Sequence, residues 1–167
     1  MTSSNQQINA AAGVTLAGGT IATNGTSQTF GALTLTSSSI IDMGNGASIL
    51  NFANSSSQSW APGAIISIWN YTGNNEGGGG IDQLYFGTDN TGLTPTQLSQ
   101  FQFYSDAGIT PFYSGTQGTM LADGEVVPVP EPATWIGGFL ALGVIGYTQR
   151  RRFAGLIKRT DKVVSSQ

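Results

Sequence analysis

Short apolar segments, separated by clusters of Gly, Asn and Ser, recur through most of this 167-residue chain. Several of them alternate apolar and polar residues, as Leu33-Thr34-Leu35 does, which is the period of a half-buried β-strand. The pattern predicts strands at residues 14–16, 33–35, 49–52, 65–69, 81–87, 101–104, 111–113 and 120–127. We therefore predict a mainly β body over residues 1–127.

Two architectures fit these strands. Leu16, Leu33 and Leu50 are spaced seventeen residues apart, and Ile66 follows after sixteen. That spacing suits one turn of a β-solenoid, in which each turn stacks its apolar residues on the next. An antiparallel β-sandwich is the alternative, and both remain open at this point.

One short helix is expected among the strands. Thr94-Pro95-Thr96-Gln97 has the form of a capping box, in which the Thr and Gln side chains each accept a backbone N–H of the first turn. Pro95 stands at the first helical position, where no N–H is needed. We predict a helix near residues 95–100.

After residue 127 the pattern changes. The prolines at 128, 130 and 132 fix their own φ and push each preceding residue toward an extended conformation. Residues 128–132 are therefore predicted to form an extended, open segment, which is the shape that a protease cleft accepts.

The next segment, residues 133–149, carries no charge. As a helix it is about 25 Å long at ~1.5 Å per residue, slightly short of the ~30 Å hydrocarbon core but sufficient if flanking arginines snorkel. It has no polar face, and its four glycines disfavour a helix in water. We predict a single transmembrane helix. Its apolar residues are Trp135, Ile136, Phe139, Leu140, Leu142, Val144, Ile145 and Tyr147.

The charges are divided sharply along the chain. All six basic residues lie after position 149, beginning with Arg150, Arg151 and Arg152, whereas residues 1–149 hold eight acidic and no basic residues, a formal charge of −8. Positive charge on one side of an apolar segment stops transfer and stays in the cytoplasm. Residues 150–167 are therefore predicted to be a basic cytoplasmic tail, and the body is predicted to lie outside the cytoplasm.

Composition excludes several function classes. An acidic body without Lys or Arg cannot neutralise phosphates, so we expect no nucleic-acid partner. The chain has no Cys or His, which removes thiol nucleophiles, Ser-His-Asp triads and zinc sites of the usual kind. We predict no enzymatic activity and no cofactor.

Carboxylates are the chemistry that remains, and a glycosidase needs a pair of them. Nothing in their spacing selects a pair from the candidates Asp82, Asp89, Asp106, Asp123 and Glu125. Residues 77–84 also fit one copy of a calcium-binding β-roll repeat, which makes Asp82 a weak calcium candidate. Because such sites need two successive copies, a flexible loop entering a strand is the preferred interpretation.

The C-terminal features occur in a specific order: Val129-Pro130-Glu131-Pro132, a Gly-containing apolar segment, and Arg150-Arg151-Arg152. This order resembles the PEP-CTERM sorting signal. The resemblance implies processing by exosortase, a membrane cysteine protease that cleaves near the Pro-Glu-Pro motif. It also implies a single-pass intermediate in the inner membrane, followed by the cell surface or the extracellular space.

Secretion requires an N-terminal signal, and residues 1–7 have neither a basic nor an apolar region. We therefore expect the chain to be a fragment that lacks this signal.

The body gives weaker indications of its role. Residues 25–35 and 41–44 resemble autotransporter-type β-strand repeats. We predict a structural or adhesive protein of the extracellular matrix; the alternative is a polysaccharide- or ice-binding module on the same tail. Thr34 and Thr36 are the candidates for an ice-binding face. Aromatic side chains that could stack on sugars are Trp60, Trp69, Tyr71 and Tyr85, although core packing is the more ordinary role.

Overall fold

A computed structural model of the chain describes residues 5–74, 77–112 and 117–129. The chain divides at Pro130 into two units, and the described residues lie in the first, Met1–Pro130. This unit is mainly β with one short helix, which confirms the predicted class. Its elements are β1 (Val14–Ala17), β2 (Thr20–Ala22), β3 (Gln28–Phe30), β4 (Leu33–Ser37), β5 (Ser39–Asp42), β6 (Ser48–Phe52), β7 (Ile66–Trp69), β8 (Asp82–Phe86), α1 (Pro95–Leu98), β9 (Phe101–Phe103), β10 (Gly118–Met120) and β11 (Val126–Pro128).

Strands β1 to β9 form three sheets in which every pairing is parallel. The sheet orders are β1-β4, β2-β5-β7-β9 and β3-β6-β8. Strands β1, β2 and β3 therefore belong to three different sheets, and β4, β5 and β6 pair with them in the same order. The antiparallel alternative is therefore wrong for these strands. Only β10 and β11 form an antiparallel sheet among the described strands.

Side chains that alternate along the strands build the core. Inward-facing Phe30, Phe52 and Phe86 occupy matching register positions, and successive ring centroids lie 5.0 Å apart in stacked geometry. Ile41 and Ile68 are paired in the same way in the neighbouring sheet, and both are fully buried. Because in-register parallel strands place equivalent residues above one another, the core consists of columns of similar side chains.

The predicted seventeen-residue spacing is wrong. The register pairs Leu16 with Leu35, which is nineteen residues away, and Phe30 with Phe52, which is twenty-two residues away. Later partners are farther apart, since Leu50 pairs with Leu84. The sequence separation of paired residues increases because the loops between successive strands become longer, while the pairing of the strands stays parallel.

One turn contact shows how successive layers meet. The turn at Asn24 and Gly25 lies against the turn at Gly44 and Gly46, and a Cβ on Gly44 would be 3.0 Å from the Asn24 Cα. Asn24 and Gly44 both have positive φ, of 57° and 70°. The same left-handed turn therefore occurs in two consecutive layers, and glycine permits their close approach.

Three strands were not predicted, and two segments were predicted wrongly. The strands β2 and β3 are short and mostly polar or small in sequence, and β5 has only Ile40 and Ile41 between Ser39 and Asp42, so all three lack the longer apolar segments used above. The segment predicted as one strand at 120–127 is instead divided between β10 and β11, because Gly124, with φ of 88°, lies in the turn between them. Pro111 makes an isolated antiparallel bridge to Tyr104 and begins no strand in the described part of 111–113.

Helix α1 confirms the predicted capping box. The Thr94 N–H donates to Gln97 Oε1 at 2.7 Å, and the Gln97 N–H donates to Thr94 Oγ1 at 3.2 Å. The helix ends at Leu98, earlier than the predicted Gln100, and Ser99 is its C-cap. Gln97 Nε2 also donates to the carbonyl oxygens of Ser55 and Gln58, which ties the helix to the loop after β6.

Candidate functional site

The last described strand, β11, leads directly into the predicted sorting motif. Val126 and Val127 are 0% and 1% exposed. Pro128 is buried and lies opposite Gly118 in the antiparallel register. The Val129 N–H donates to the Gln117 carbonyl oxygen at 2.9 Å. Pro128 and Val129 are thus part of a paired hairpin, rather than of the open segment predicted for 128–132.

The register explains how a proline fits there. Hydrogen bonds join Leu121 to Glu125 and Val129 to Gln117. In an antiparallel pair, residues that exchange hydrogen bonds alternate with residues that do not, which places Pro128 at a non-hydrogen-bonded position. A proline at such a position removes no ladder bond.

Two carboxylates are buried beside this hairpin, and one of them is Glu125, which is fully buried. Its Oε2 accepts the Gly79 N–H at 2.6 Å, so the glycine-rich loop of residues 77–80 is fastened to the hairpin. Burial raises the pKa of Glu125, the Gly79 N–H opposes that shift, and the negative charge of Asp123 adds to it. The Tyr85 hydroxyl also lowers the pKa of Glu125. This hydroxyl donates its hydrogen to Gln83 Oε1 at 2.9 Å.

Asp82 is the second buried carboxylate, at the start of β8. Its Oδ1 accepts the Ser48 N–H at 3.2 Å, and its Oδ2 accepts the N–H and the hydroxyl of Thr72 at 2.8 and 2.6 Å. Burial raises the pKa of Asp82, and the hydrogen bonds from Thr72 and Ser48 oppose the shift. These bonds connect the loop after β7 to two neighbouring strands, so Asp82 has a structural role and we do not propose a calcium site on it.

Tyr71 lies close to both carboxylates. Burial, followed by the charges of Glu125 and Asp82, raises the pKa of its hydroxyl. The Tyr71 hydroxyl and Glu125 Oε1 are buried without a hydrogen-bond partner among the described residues. A buried acceptor without a donor is costly, and so is a buried charge without a cation. Since residues 1–149 contain no Lys or Arg, this environment favours the neutral form of Glu125.

The remaining acidic candidates serve turns. Asp89 Oδ1 accepts the N–H of Thr91 at 2.8 Å, and Asp106 Oδ1 accepts the N–H groups of Ile109 and Thr110 at 2.7 and 2.9 Å. The bonds from Thr91 lower the pKa of Asp89, and those led by the Thr110 N–H lower that of Asp106. Asp123 Oδ1 accepts the Glu125 N–H at 3.1 Å. Such bonds within a turn need no catalytic explanation.

Asp82 and Glu125 are fully buried, so a sugar and a water molecule cannot reach them as a glycosidase pair requires. Within the described ranges, no three His, Cys, Asp or Glu residues gather as metal ligands.

The aromatic candidates divide between core and surface. Trp60 is 8% exposed and donates from Nε1 to the Leu33 carbonyl oxygen at 2.9 Å, and Tyr71 is fully buried. Trp69 and Tyr85 face outward from their strands and are half-buried. Trp69 lies under Gly108, where an added Cβ would be 2.7 Å from the ring.

The other predicted C-terminal features lie outside the described residues: Pro130, Glu131 and Pro132, the apolar segment at 133–149, and the arginines at 150–152. Within the described ranges no helix has the length and apolar content needed to cross a membrane.

Residues 128–152 match the PEP-CTERM protein-sorting motif. This motif indicates sorting by an exosortase, which is a membrane protein, with membrane-anchored passage followed by export. A chain that carries it is cargo of the sorting system. No curated protein and no solved structure is significantly similar to the chain. The resemblance of residues 25–35 and 41–44 to autotransporter-type repeats therefore stays a prediction.

Proposed function

We propose that this chain is a non-enzymatic surface or matrix protein, delivered through the inner membrane and released from its tail by an exosortase-type protease. The observation that carries the proposal is the match of residues 128–152 to the sorting motif. In this proposal Val129, Pro130, Glu131 and Pro132 are recognised by the protease. Cleavage leaves the body at the cell surface or in the extracellular space.

The uncharged segment 133–149 is the proposed membrane anchor of the intermediate, and Arg150, Arg151 and Arg152 are the proposed stop-transfer block. The motif covers both segments. The absence of any base from residues 1–149 supports the orientation, because the cytoplasmic side of an anchor is the side enriched in Lys and Arg.

We propose that the body is a short β-solenoid with a structural or adhesive role. The parallel register of β1 to β9 and the stacked column of Phe30, Phe52 and Phe86 support this architecture. Stacked turns form a rigid body that needs no disulfide or metal, and the chain has no Cys. A rigid module with a surface of amides, hydroxyls and acids suits a hydrated matrix.

A second candidate is a polysaccharide-binding module. Thr29, Asn51 and Tyr85 are in register on the outward face of the β3-β6-β8 sheet. A half-exposed aromatic ring beside an amide and a hydroxyl can stack on and hydrogen-bond to a sugar. Loss of glycan-array binding in Tyr85→Ala, with binding retained in Gln102→Ala, would favour this candidate.

The ice-binding alternative has less support. The Thr34 hydroxyl donates to Gln58 Oε1 at 3.1 Å, and the Thr36 hydroxyl donates to the Leu16 carbonyl oxygen at 3.1 Å. Both donors are therefore already used within the protein, and we do not include ice binding in the proposal.

The sorting proposal is tested by following the tagged chain in cells with active and with inactivated exosortase. We expect a shortened extracellular form in the first case and a full-length membrane-bound form in the second. Glu131→Ala should reproduce the second result, whereas Asp89→Ala, which removes an exposed acid outside the matched motif, should be processed normally. Equal processing of all forms, with or without the protease, would refute the proposal.

A further inference from the structure

The sorting motif begins inside the hairpin, because its first two matched residues are Pro128, the last residue of β11, and Val129, which follows it. The last described residue, Val129, is held by a hydrogen bond from its N–H to the Gln117 carbonyl oxygen, and Pro130 is the next residue in the sequence. The motif therefore has no free linker on its N-terminal side.

Several contacts hold this end of the chain in place. Val126 belongs to the hydrophobic core, and a Cβ on Gly118 would be 2.8 Å from its Cγ1, so the two hairpin strands pack closely. In the hairpin turn, the Leu121 N–H donates to the Glu125 carbonyl oxygen at 2.8 Å. The Phe86 N–H donates to the Gly124 carbonyl oxygen at 2.9 Å, which joins the hairpin to β8.

This arrangement limits where a protease can act. Proteases bind their substrates as extended chains whose backbone groups are free to pair with the cleft, and cleavage concentrates where the backbone is exposed. Residues 126–128 are buried in a paired strand and the Val129 N–H is hydrogen-bonded, so a cut at these residues requires the hairpin to open first. Cleavage then depends on the population of the opened form.

We infer that the hairpin formed by β10 and β11 sets the N-terminal limit of processing, so that the cut falls beyond Val129 and the released body keeps the whole hairpin. This inference rests on the proposed function. The step breaks one peptide bond whose carbonyl belongs to Pro130 or to a later residue. Water adds its oxygen to that carbonyl carbon, leaving a carboxylate on the body, and the departing nitrogen takes a proton and leaves with the tail as an amine. An acceptor amine in place of water would leave the body joined to that acceptor through a new amide.

The first test is the intact mass and the C-terminal peptide of the body recovered from the cell surface. We expect the body to end at Pro130 or at a later residue. A body that ends at Val129 or earlier, in cells where processing depends on exosortase, would overturn the inference and leave the proposed function standing. Absence of exosortase-dependent processing would overturn both.

A second test locks the hairpin. Thr119 and Val127 are directly opposite each other, and hydrogen-bonded antiparallel pairs have a Cα separation of about 5.5 Å, within the range for a disulfide. The chain has no cysteine, so Thr119→Cys with Val127→Cys gives one defined bridge. We expect the oxidised and reduced forms of this double variant to be processed at the same rate by exosortase-containing membranes. Processing of the reduced form alone would overturn the inference, because it would mean that the hairpin must open.

Discussion

Gly79 donates its backbone N–H to Glu125 Oε2 at 2.6 Å, and this bond connects a glycine-rich loop to the hairpin in which the sorting motif begins. It also explains why the loop contains glycine at particular positions. A Cβ on Gly78 would be 2.5 Å from Glu125 Oε2 and 2.5 Å from Leu121 Cδ1, whereas a Cβ on Gly79 would meet nothing within 4 Å. The two neighbours have nearly equal φ, of 74° and 72°.

The pair Gly78→Ala and Gly79→Ala therefore separates crowding from backbone strain. In both variants the free energy of unfolding should fall by about 1–2 kcal/mol, because the left-handed backbone conformation disfavours Ala. Gly78→Ala should lose a further ~1–3 kcal/mol in the free energy of unfolding, since its methyl group has to displace buried side chains. Urea unfolding measures both values, and equal losses would show that Glu125 is not held against the loop.

The stability of the body should fall as pH rises above about 4. Burial raises the pKa values of Asp82 and Glu125 in the folded state. The folded state therefore binds protons more tightly than the unfolded state, whose carboxyl pKa values are about 3.9 and 4.3. The stability that protonation provides is fully present below the unfolded pKa and is lost as pH rises through the folded pKa, by up to about 1.4 kcal/mol per pH unit for each proton. Urea unfolding of the detergent-solubilised chain at successive pH values measures the slope.

Matched variants identify the carboxyl groups that cause the loss of stability with rising pH. Glu125→Gln and Asp82→Asn should each make the free energy of unfolding fall less steeply with pH, because each removes one titrating group. Asp89→Asn should leave the slope above pH 4 unchanged, because the pKa of Asp89 is lowered and its contribution is lost only as pH falls below its ordinary range. A slope that survives the first two variants would contradict the assignment.

Gln97 has two roles that an isosteric substitution can separate. Its Oε1 completes the capping box with Thr94, and its Nε2 donates to the carbonyl oxygens of Ser55 and Gln58. Gln97→Glu keeps the capping acceptor but replaces the amide donor with an oxygen. We expect the free energy of unfolding to fall by about 1–3 kcal/mol at neutral pH, because one buried and one partly buried carbonyl oxygen lose their donor. Thr96→Glu, at an exposed site of the same helix, is the control and should change stability by less than about 0.5 kcal/mol.

The parts of the fold predicted from sequence are those with local signals. The capping box at Thr94 and Gln97 is defined by neighbouring residues, and strands such as β4 and β6 contain alternating apolar side chains. By contrast, β3 contains Gln28, whose amide gives no apolar signal although it is 1% exposed. The pairing of Leu50 with Leu84 could not be predicted from the sequence either, since the length of a connection does not indicate which strands pair.

The candidate site also combines features that local sequence predicts with features that depend on residues far apart in the chain. The sorting motif is a linear pattern and was recognised from its residues alone. The contact between Gly79 and Glu125 joins residues far apart in sequence, so neither the glycine run nor the acid indicated it separately. Likewise, Pro128 was expected in an open segment, because the partner that makes its strand position acceptable, Gly118, lies in another segment of the chain.

The proposed orientation of the chain in the membrane is tested most directly by thiol labelling in cells with inactivated exosortase, where we expect the proposed intermediate to accumulate. The absence of native cysteine makes Ser59→Cys in the body and Ser165→Cys in the tail single reporters, introduced in separate variants. With a membrane-impermeant maleimide applied to cells whose outer barrier has been opened, we predict labelling of the body reporter, and labelling of the tail reporter only after the inner membrane is permeabilised. Protection of both reporters until that membrane is permeabilised, with the chain recovered in the cytosolic fraction, would contradict the account.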